Sequence, residues 1–378
     1  MKIYKKAILP IGFEANAVAC GIRKLNKLDL ALFYSHAIAK ASCKFTSNKI
    51  LSAPIQVDKQ YLKNNRDFKA IIVNSGNANC FTGNFGLRDA LQVSKDLGSC
   101  LGIKKENILV ASTGIIGRRL PVDKIRRAIP KLILGLSSKG IDKAKLAIMT
   151  TDTFAKEITV KLNIGRKAIT LCGVAKGAGM IAPNMATMLV FILTDANILQ
   201  GPLNRALDIA VDNSFNCITV DGCMSTNDSV IVLANGVAKN ELIERGKNFD
   251  LFVQAIKLVS LELAKMVVKD GEGATKFIQI KVNRAKNFRE AKKIALSIAN
   301  SNLFKTAMYG ENPNFGRIVA SVGASGVEVN EKDLKIKVSP LSKKDINVDV
   351  SINRGNSSAV VYTSDLTPEY IKINARYN

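Results

Sequence analysis

Histidine occurs once and tryptophan not at all in these 378 residues. A single His36 excludes zinc sites built on several histidines, and a Ser/His/Asp or Cys/His mechanism would have to use that one ring. It lies in Ala31-Leu-Phe-Tyr-Ser-His-Ala-Ile-Ala39, an apolar stretch that suits a hydrogen-bonded core histidine better than a reactive one. The seven cysteines (Cys20, Cys43, Cys80, Cys100, Cys172, Cys217 and Cys223) are odd in number and widely spaced, without a Cys-x-x-Cys pair. That pattern supplies neither a disulfide framework nor a zinc knuckle, so most are expected to be small buried apolar residues. Cys223, in Asp221-Gly-Cys-Met-Ser-Thr-Asn-Asp228, has the polar setting a reactive thiol would want but no histidine nearby. No apolar run reaches ~18 residues, and Met1-Lys-Ile-Tyr-Lys-Lys6 is not followed by a signal-peptide core. The expectation is a cytoplasmic protein with no membrane partner.

Acidic residues are also short: 31 Asp and Glu stand against 55 Lys and Arg, a formal charge of +24. Such a balance raises a nucleic-acid binder as one function class. The lysines are scattered rather than gathered in one arm, and no aromatic and basic alternation resembles a nucleic-acid module. The nucleic-acid reading therefore stands second to a solvated lysine-rich surface that draws anionic metabolites by its field, and no nucleic-acid partner is expected.

With 47% hydrophobic residues the chain has the material for one large domain or two coupled ones. Helical periodicity marks residues 87–101, 122–136, 202–214, 249–268 and 287–299. Strand-like runs cover 70–73, 108–111, 186–193, 230–233, 277–282 and 359–362. The fold class is mixed α/β, and no flexible linker announces a domain boundary.

The most telling segment is Gly173-Val-Ala-Lys-Gly-Ala-Gly-Met-Ile-Ala-Pro-Asn-Met-Ala-Thr187-Met-Leu-Val-Phe-Ile192. Its glycines and Pro183 interrupt regular structure, and an apolar run follows, so Thr187 falls at a loop-to-strand junction. A threonine that cleaves its own upstream peptide bond gains a free α-amine, which titrates near pH ~8 and can take the hydroxyl proton at neutral pH. Such an amine would supply the base that a histidine-poor enzyme otherwise lacks. Small Ala186 leaves room for the attack. A threonine that merely caps a core strand fits the segment as well.

The chain resembles, along nearly its whole length, the ornithine acetyltransferase family of arginine biosynthesis, also called glutamate N-acetyltransferase. The self-cleavage block is matched by Lys176-Gly-Ala-Gly-Met-Ile-Ala-Pro-Asn-Met-Ala-Thr187-Met-Leu. Further blocks follow in family order: Phe45-Thr-Ser-Asn48, Val73-Asn-Ser-Gly-Asn-Ala-Asn79, Ser112-Thr-Gly-Ile-Ile-Gly117, Met149-Thr-Thr-Asp-Thr153, Ser214-Phe-Asn-Cys-Ile-Thr-Val-Asp-Gly222, Ser225-Thr-Asn-Asp228, Gly271-Glu-Gly-Ala-Thr-Lys276 and Asn312-Pro-Asn-Phe-Gly-Arg317. The resemblance implies a self-processing acyltransferase fold shared with N-terminal-nucleophile aminopeptidases. It also implies cleavage between Ala186 and Thr187, giving residues 1–186 and 187–378, which assemble as a heterotetramer with two copies of each.

The implied reaction moves acetyl from N2-acetylornithine to L-glutamate by a ping-pong route, with Thr187 as nucleophile and without metal or cofactor; acetyl-CoA stays open as a second acetyl donor. The oxyanion hole is implied at Thr113 and Gly114. Strand-like 108–112 precedes them, and Gly114 lets the backbone approach a ligand closely. Substrate contacts are implied at Thr150, Lys176, Thr187, Glu272, Asn374 and the C-terminal Asn378. Thr150 and Thr151 are adjacent, and spacing does not choose between them. Nor does spacing choose, for Lys176 and Glu272, between a substrate partner and an exposed surface charge. Two departures stand out. The chain closes Asn374-Ala-Arg-Tyr-Asn378 without the family's usual hydroxyl residue, and Asn312 and Phe315 replace an acidic residue and a tryptophan. An N-terminal-threonine amidase or aminopeptidase, passing the same acyl group to water, is the alternative enzyme.

Overall fold

The computed structural model describes residues 1–24, 26–182 and 188–376. In chain order the strands and helices are β1 (Lys2–Tyr4), β2 (Phe13–Val18), β3 (Leu30–Phe45), α1 (Ala53–Asn64), β4 (Phe68–Asn77), α2 (Gly83–Leu101), β5 (Ile108–Ile115), α3 (Val122–Leu134), α4 (Ile141–Ala147), β6 (Lys156–Ile164), β7 (Lys167–Lys176), β8 (Leu189–Thr194), α5 (Gln200–Asp212), β9 (Ser229–Ala234) and α6 (Gly246–Lys269). There follow β10 (Phe277–Ala285), α7 (Phe288–Ala299), α8 (Asn302–Tyr309), α9 (Gly316–Gly323), β11 (Lys335–Val338), β12 (Asp345–Ser351), β13 (Ser357–Ser364) and α10 (Pro368–Ala375). The chain is mixed α/β and divides into two compact units. The first comprises residues 1–177, 185–213 and 225–263, and the second 178–184, 214–224 and 264–378. These units follow packing, whereas a division at residue 186 concerns covalent pieces.

The first unit is built on a nine-stranded sheet in the order β1-β6-β7-β8-β9-β3-β4-β5, with β2 pairing beside β3. The parallel pairs β4/β5 and β8/β9 are each joined through a helix, α2 and α5, because parallel neighbours need a crossover. Strand β3 serves two sets of partners. Its first part pairs with β2 and β4, its register with β4 shifts between Tyr34 and Ala39, and its last part pairs with β9. Every residue of β8, Leu189-Val-Phe-Ile-Leu-Thr194, is buried, which is why an unbroken apolar run makes a central strand. At Gly173 of β7 a Cβ would lie 2.6 Å from Val259 Cγ1, so the missing side chain lets α6 pack closely on the sheet.

The second unit carries a four-stranded sheet in the order β11-β12-β10-β13. Alternation along β10 buries Ile278, Ile280 and Val282, which meet Ile346, Val348 and Val350 of β12 and the Ala291, Ile294, Ala295, Ile298 stripe of α7 in one core. Asn287 caps α7 by accepting from Glu290 N at 2.9 Å.

Two sequence expectations fail here. His36 is exposed rather than in the core, and its Nε2 lies 2.9 Å from Glu14 Oε2. It sits where β3 changes partners, and that irregularity turns the ring out of an otherwise apolar stretch. Only Cys80, Cys172 and Cys217 are buried, while Cys20 and Cys43 are half-buried and Cys100 and Cys223 exposed. Cys223 is no activated thiol, since burial and then the Asp221 charge push it up from its ordinary value.

Candidate active site

The pairing of β4 with β5 ends where Ser75 and Gly76 face Thr113 and Gly114. Gly114 has φ +134°, and a Cβ there would lie 2.3 Å from the Gly76 carbonyl carbon, so two backbones meet where no side chain fits. The asparagines of Val73–Asn79 brace this end. Ser112 Oγ and Asn74 Oδ1 are 2.6 Å apart, Asn74 Nδ2 donates to the Asn77 carbonyl at 2.8 Å, and Asn77 Nδ2 donates to the Arg118 and Arg119 carbonyls. From the far side Asn227 Nδ2 donates to the carbonyls of Ala78 and Ser112, at 2.6 and 2.8 Å.

Lys176, the last residue of β7, is buried, and its Nζ donates to Thr113 Oγ1 at 3.0 Å across 63 residues of sequence. The surface-charge alternative for Lys176 therefore falls. Its register partner on β8 is Leu189, two residues after Thr187 in the chain. Lys176 thus brings the expected oxyanion turn to the strand that follows the expected nucleophile.

Asp152 organises the same region and was not singled out by the sequence. Its Oδ1 accepts from Lys156 Nζ at 2.6 Å and from Gly177 N at 2.7 Å, and its Oδ2 from Thr150 N at 2.8 Å. The side chains of Asp152 and Lys156 are both fully buried. Burial alone would raise the Asp152 carboxyl, but the charges of Lys176 and Lys156 and the Gly177 N–H outweigh it and hold the group at about 2. Arg23 adds hydrogen bonds to the carbonyls of Met149 and Thr150, at 2.9 and 3.5 Å. Thr150 is therefore fixed through its backbone on both sides, with its side chain half-buried. The signal available in the sequence was an acid two residues after the threonine and four before a lysine, inside a family block.

In the second unit, Glu272 and Asn374 come together: Asn374 Nδ2 donates to Glu272 Oε2 at 2.8 Å and to the Tyr370 carbonyl at 3.0 Å. Glu272 lies over the start of the self-cleavage block. Its N–H donates to the Ala178 carbonyl at 2.9 Å, and a Cβ on Gly179 would come within 2.3 Å of its carboxyl. Asp221 fastens the next residues, accepting from Met180 N at 2.6 Å, Ile181 N at 2.9 Å, Cys223 N at 3.0 Å and the Tyr370 hydroxyl at 3.2 Å. Glu272 is half-buried and Asn374 exposed. Ala186, Thr187 and Asn378 lie outside the described residues.

The arrangement offers a hydroxyl and a backbone N–H at one turn, beside a buried cation, as an acyl-transfer site requires. Among the described residues no helix is long and apolar enough to cross a membrane. The ArgJ family profile matches residues 14–378. The chain is similar to the arginine biosynthesis bifunctional protein ArgJ of Caldanaerobacter subterraneus subsp. tengcongensis, 43% identical with 98% of each chain covered. It is 42% identical to the protein of that name from Oceanobacillus iheyensis, covering 97% of this chain and 95% of the relative. Among solved structures, the arginine biosynthesis bifunctional protein of Bacillus halodurans is 38% identical over 50% of this chain and 98% of that one, with a TM-score of 0.48. The ornithine acetyltransferase of Mycobacterium tuberculosis complexed with ornithine is 34% identical over 48% and 97%, with a TM-score of 0.45. With a profile match across almost all of its length and relatives this similar over theirs, the chain belongs to the ArgJ family, acetyltransferases of arginine biosynthesis.

Proposed function

We propose that the chain cuts itself between Ala186 and Thr187 and then moves acetyl from N2-acetylornithine to L-glutamate through an acetyl-enzyme on Thr187. The observation that carries the reading is the contact between Lys176 and Thr113. A hydroxyl that accepts a hydrogen bond from a buried ammonium becomes a better donor to a developing oxyanion, and the Gly114 N–H beside it is a second donor that needs no side-chain ordering. A donor of this kind contributes about 3–4 kcal/mol to the transition state. Thr187 Oγ attacks the acetyl carbonyl, its proton passes to its own α-amine, and ornithine departs before glutamate takes the acetyl group. Glu272, oriented by Asn374, suits the ammonium of ornithine, and Lys176 or a backbone donor near Thr150 suits a carboxylate. Residues 1–186 and 187–378 remain associated, two copies of each. Acetyl-CoA is proposed as a further acetyl donor to glutamate.

Denatured intact mass of freshly purified protein, beside Thr187→Ala, is the test. Two fragments in the wild type and one chain in the variant are expected, with ornithine released beyond one equivalent per site only when glutamate is present. Equal release without glutamate would make the enzyme a hydrolase, and turnover by an uncut chain would refute the α-amine as base.

A further inference from the structure

Thr367 joins the two residues expected to meet the substrate in the second unit. It is the N-cap of α10, where its Oγ1 accepts from Tyr370 N at 3.3 Å, and the same hydroxyl gives its hydrogen to the Gly273 carbonyl at 2.7 Å. Gly273 follows Glu272 directly, and Asn374 lies about two turns along α10 from the cap. One buried hydroxyl therefore links the loop of Glu272 to the helix of Asn374, and the two side chains meet at 2.8 Å. Backbone packing shows how near the two segments run. Gly273 has φ +68°, and a Cβ on it would lie 2.5 Å from Tyr370 N and 2.9 Å from the Glu369 carbonyl carbon. Asp365, in the turn after β13, holds the far side of the loop by accepting from Thr275 N at 2.8 Å and Lys276 N at 2.9 Å. The helix has its own anchor in the Tyr370 hydroxyl, which donates to Asp221 Oδ2 at 3.2 Å. Loop and helix are each held elsewhere, and Thr367 fixes their spacing beside Glu272.

We propose that Thr367 is a positioning residue that gives the site its preference for an acetyl donor with a cationic side chain. The inference rests on the reading of Glu272 as the partner of the ornithine ammonium. Acetylornithine carries that ammonium at the end of its side chain, and a carboxylate discriminates in its favour only when an oxygen waits at hydrogen-bond range. A displacement of about 1 Å can cost about 100-fold. Asn374 orients Glu272 Oε2, and the bridge through Thr367 determines where α10 brings Asn374 relative to the loop. Thr367 thus acts on the donor through Glu272, without touching it.

The test compares kcat/KM for N2-acetylornithine and for N2-acetylnorleucine, its isostere with a methyl in place of the ammonium, in wild type, Thr367→Val, Thr367→Ser and Glu272→Gln. Wild type should prefer acetylornithine by about 10-fold or more, the worth of a hydrogen bond to a charged group. Thr367→Val keeps the shape and loses both bonds, so it should lose most of that preference, and Thr367→Ser should retain it. Damage to the fold alone lowers both donors together and leaves their ratio where it was. A Thr367→Val ratio within about twofold of wild type, with the ratio collapsed in Glu272→Gln, would overturn the proposal alone. A ratio unmoved in Glu272→Gln would overturn the reading of Glu272, and the proposal with it. If Thr367→Val does not fold, Thr367→Asp decides instead, because it caps α10 but has no hydrogen for the Gly273 carbonyl. Its added charge favours the cationic donor, so a fallen ratio comes from the lost bridge, and a ratio at or above that of wild type refutes it.

Discussion

Replacing Asp152 by Asn removes one charge from a pair whose two side chains are both fully buried. Lys156 then faces its desolvation with an amide in place of a carboxylate 2.6 Å away. Breaking one side of a buried pair costs about 3–5 kcal/mol, because the remaining charge is left uncompensated. The pH dependence gives a second, independent magnitude. The folded carboxyl is held at about 2 from an ordinary 3.8, which at 1.36 kcal/mol per pKa unit is worth about 2 kcal/mol. A depressed carboxyl contributes its stability above the unfolded value and loses it as pH falls. This contribution is therefore full above about pH 4 and disappears toward pH 2. Urea unfolding of wild type, Asp152→Asn, Lys156→Met and the double variant measures both figures. The double variant should recover part of the loss, since Lys156 no longer stands without its carboxylate, while buried Lys176 still loses the Asp152 charge. Loss of the bonds to Gly177 and Thr150 should also lower acetyl transfer in Asp152→Asn, even where the protein is folded. A loss under 1 kcal/mol, or strictly additive single variants, would refute the claim that these two charges form one unit.

Gly114→Ala should cost about 3 kcal/mol or more and abolish transfer, because its Cβ meets the Gly76 backbone at 2.3 Å in addition to the positive φ. Gly117→Ala, at φ +81° with nothing within 4 Å, should cost only about 1 kcal/mol in the same unfolding assay. Lys305 is buried among Thr363 and Ser364, and burial holds it at about 8 from 10.5 against the opposing charges of Asp365 and Asp221. The folded state therefore binds fewer protons than the unfolded one between about pH 8 and 10.5. Wild type should gain about 3 kcal/mol over that range relative to Lys305→Met, and an unchanged difference would contradict the depressed value.

Where one element alone carries the pattern, the sequence told its structure. The apolar stripe of α7 with its Asn287 cap, the alternation of β10 and the continuous run of β8 all lie near their expected bounds, since burial on one face or two imposes its own period. Strands β2, β3, β6 and β7 carry no expected element. Their residues become strands by pairing with segments far along the chain, and β3 changes partners partway. The ordered family blocks likewise determined the kind of chemistry, because an acyl-transfer site needs a nucleophile, a close-approach glycine and charged contacts whatever their spacing.

What the tertiary structure alone decided is which charges those blocks bury and against what. Spacing left Lys176 between surface and site. The end of β7 carries it into the interior onto Thr113. Asp152 and Asp228 read as ordinary polar residues inside their blocks, yet one holds a buried lysine and two loop amides and the other is buried with its Oδ1 on Met188 N. His36 went the opposite way, to solvent, at an irregularity that no local pattern encodes. A charge's environment is set by the solvent and partners that folding removes or supplies, and those come from residues distant in sequence. Composition and motif fix which groups are present, while the low-dielectric surroundings that give them their work exist only once the sheet is assembled.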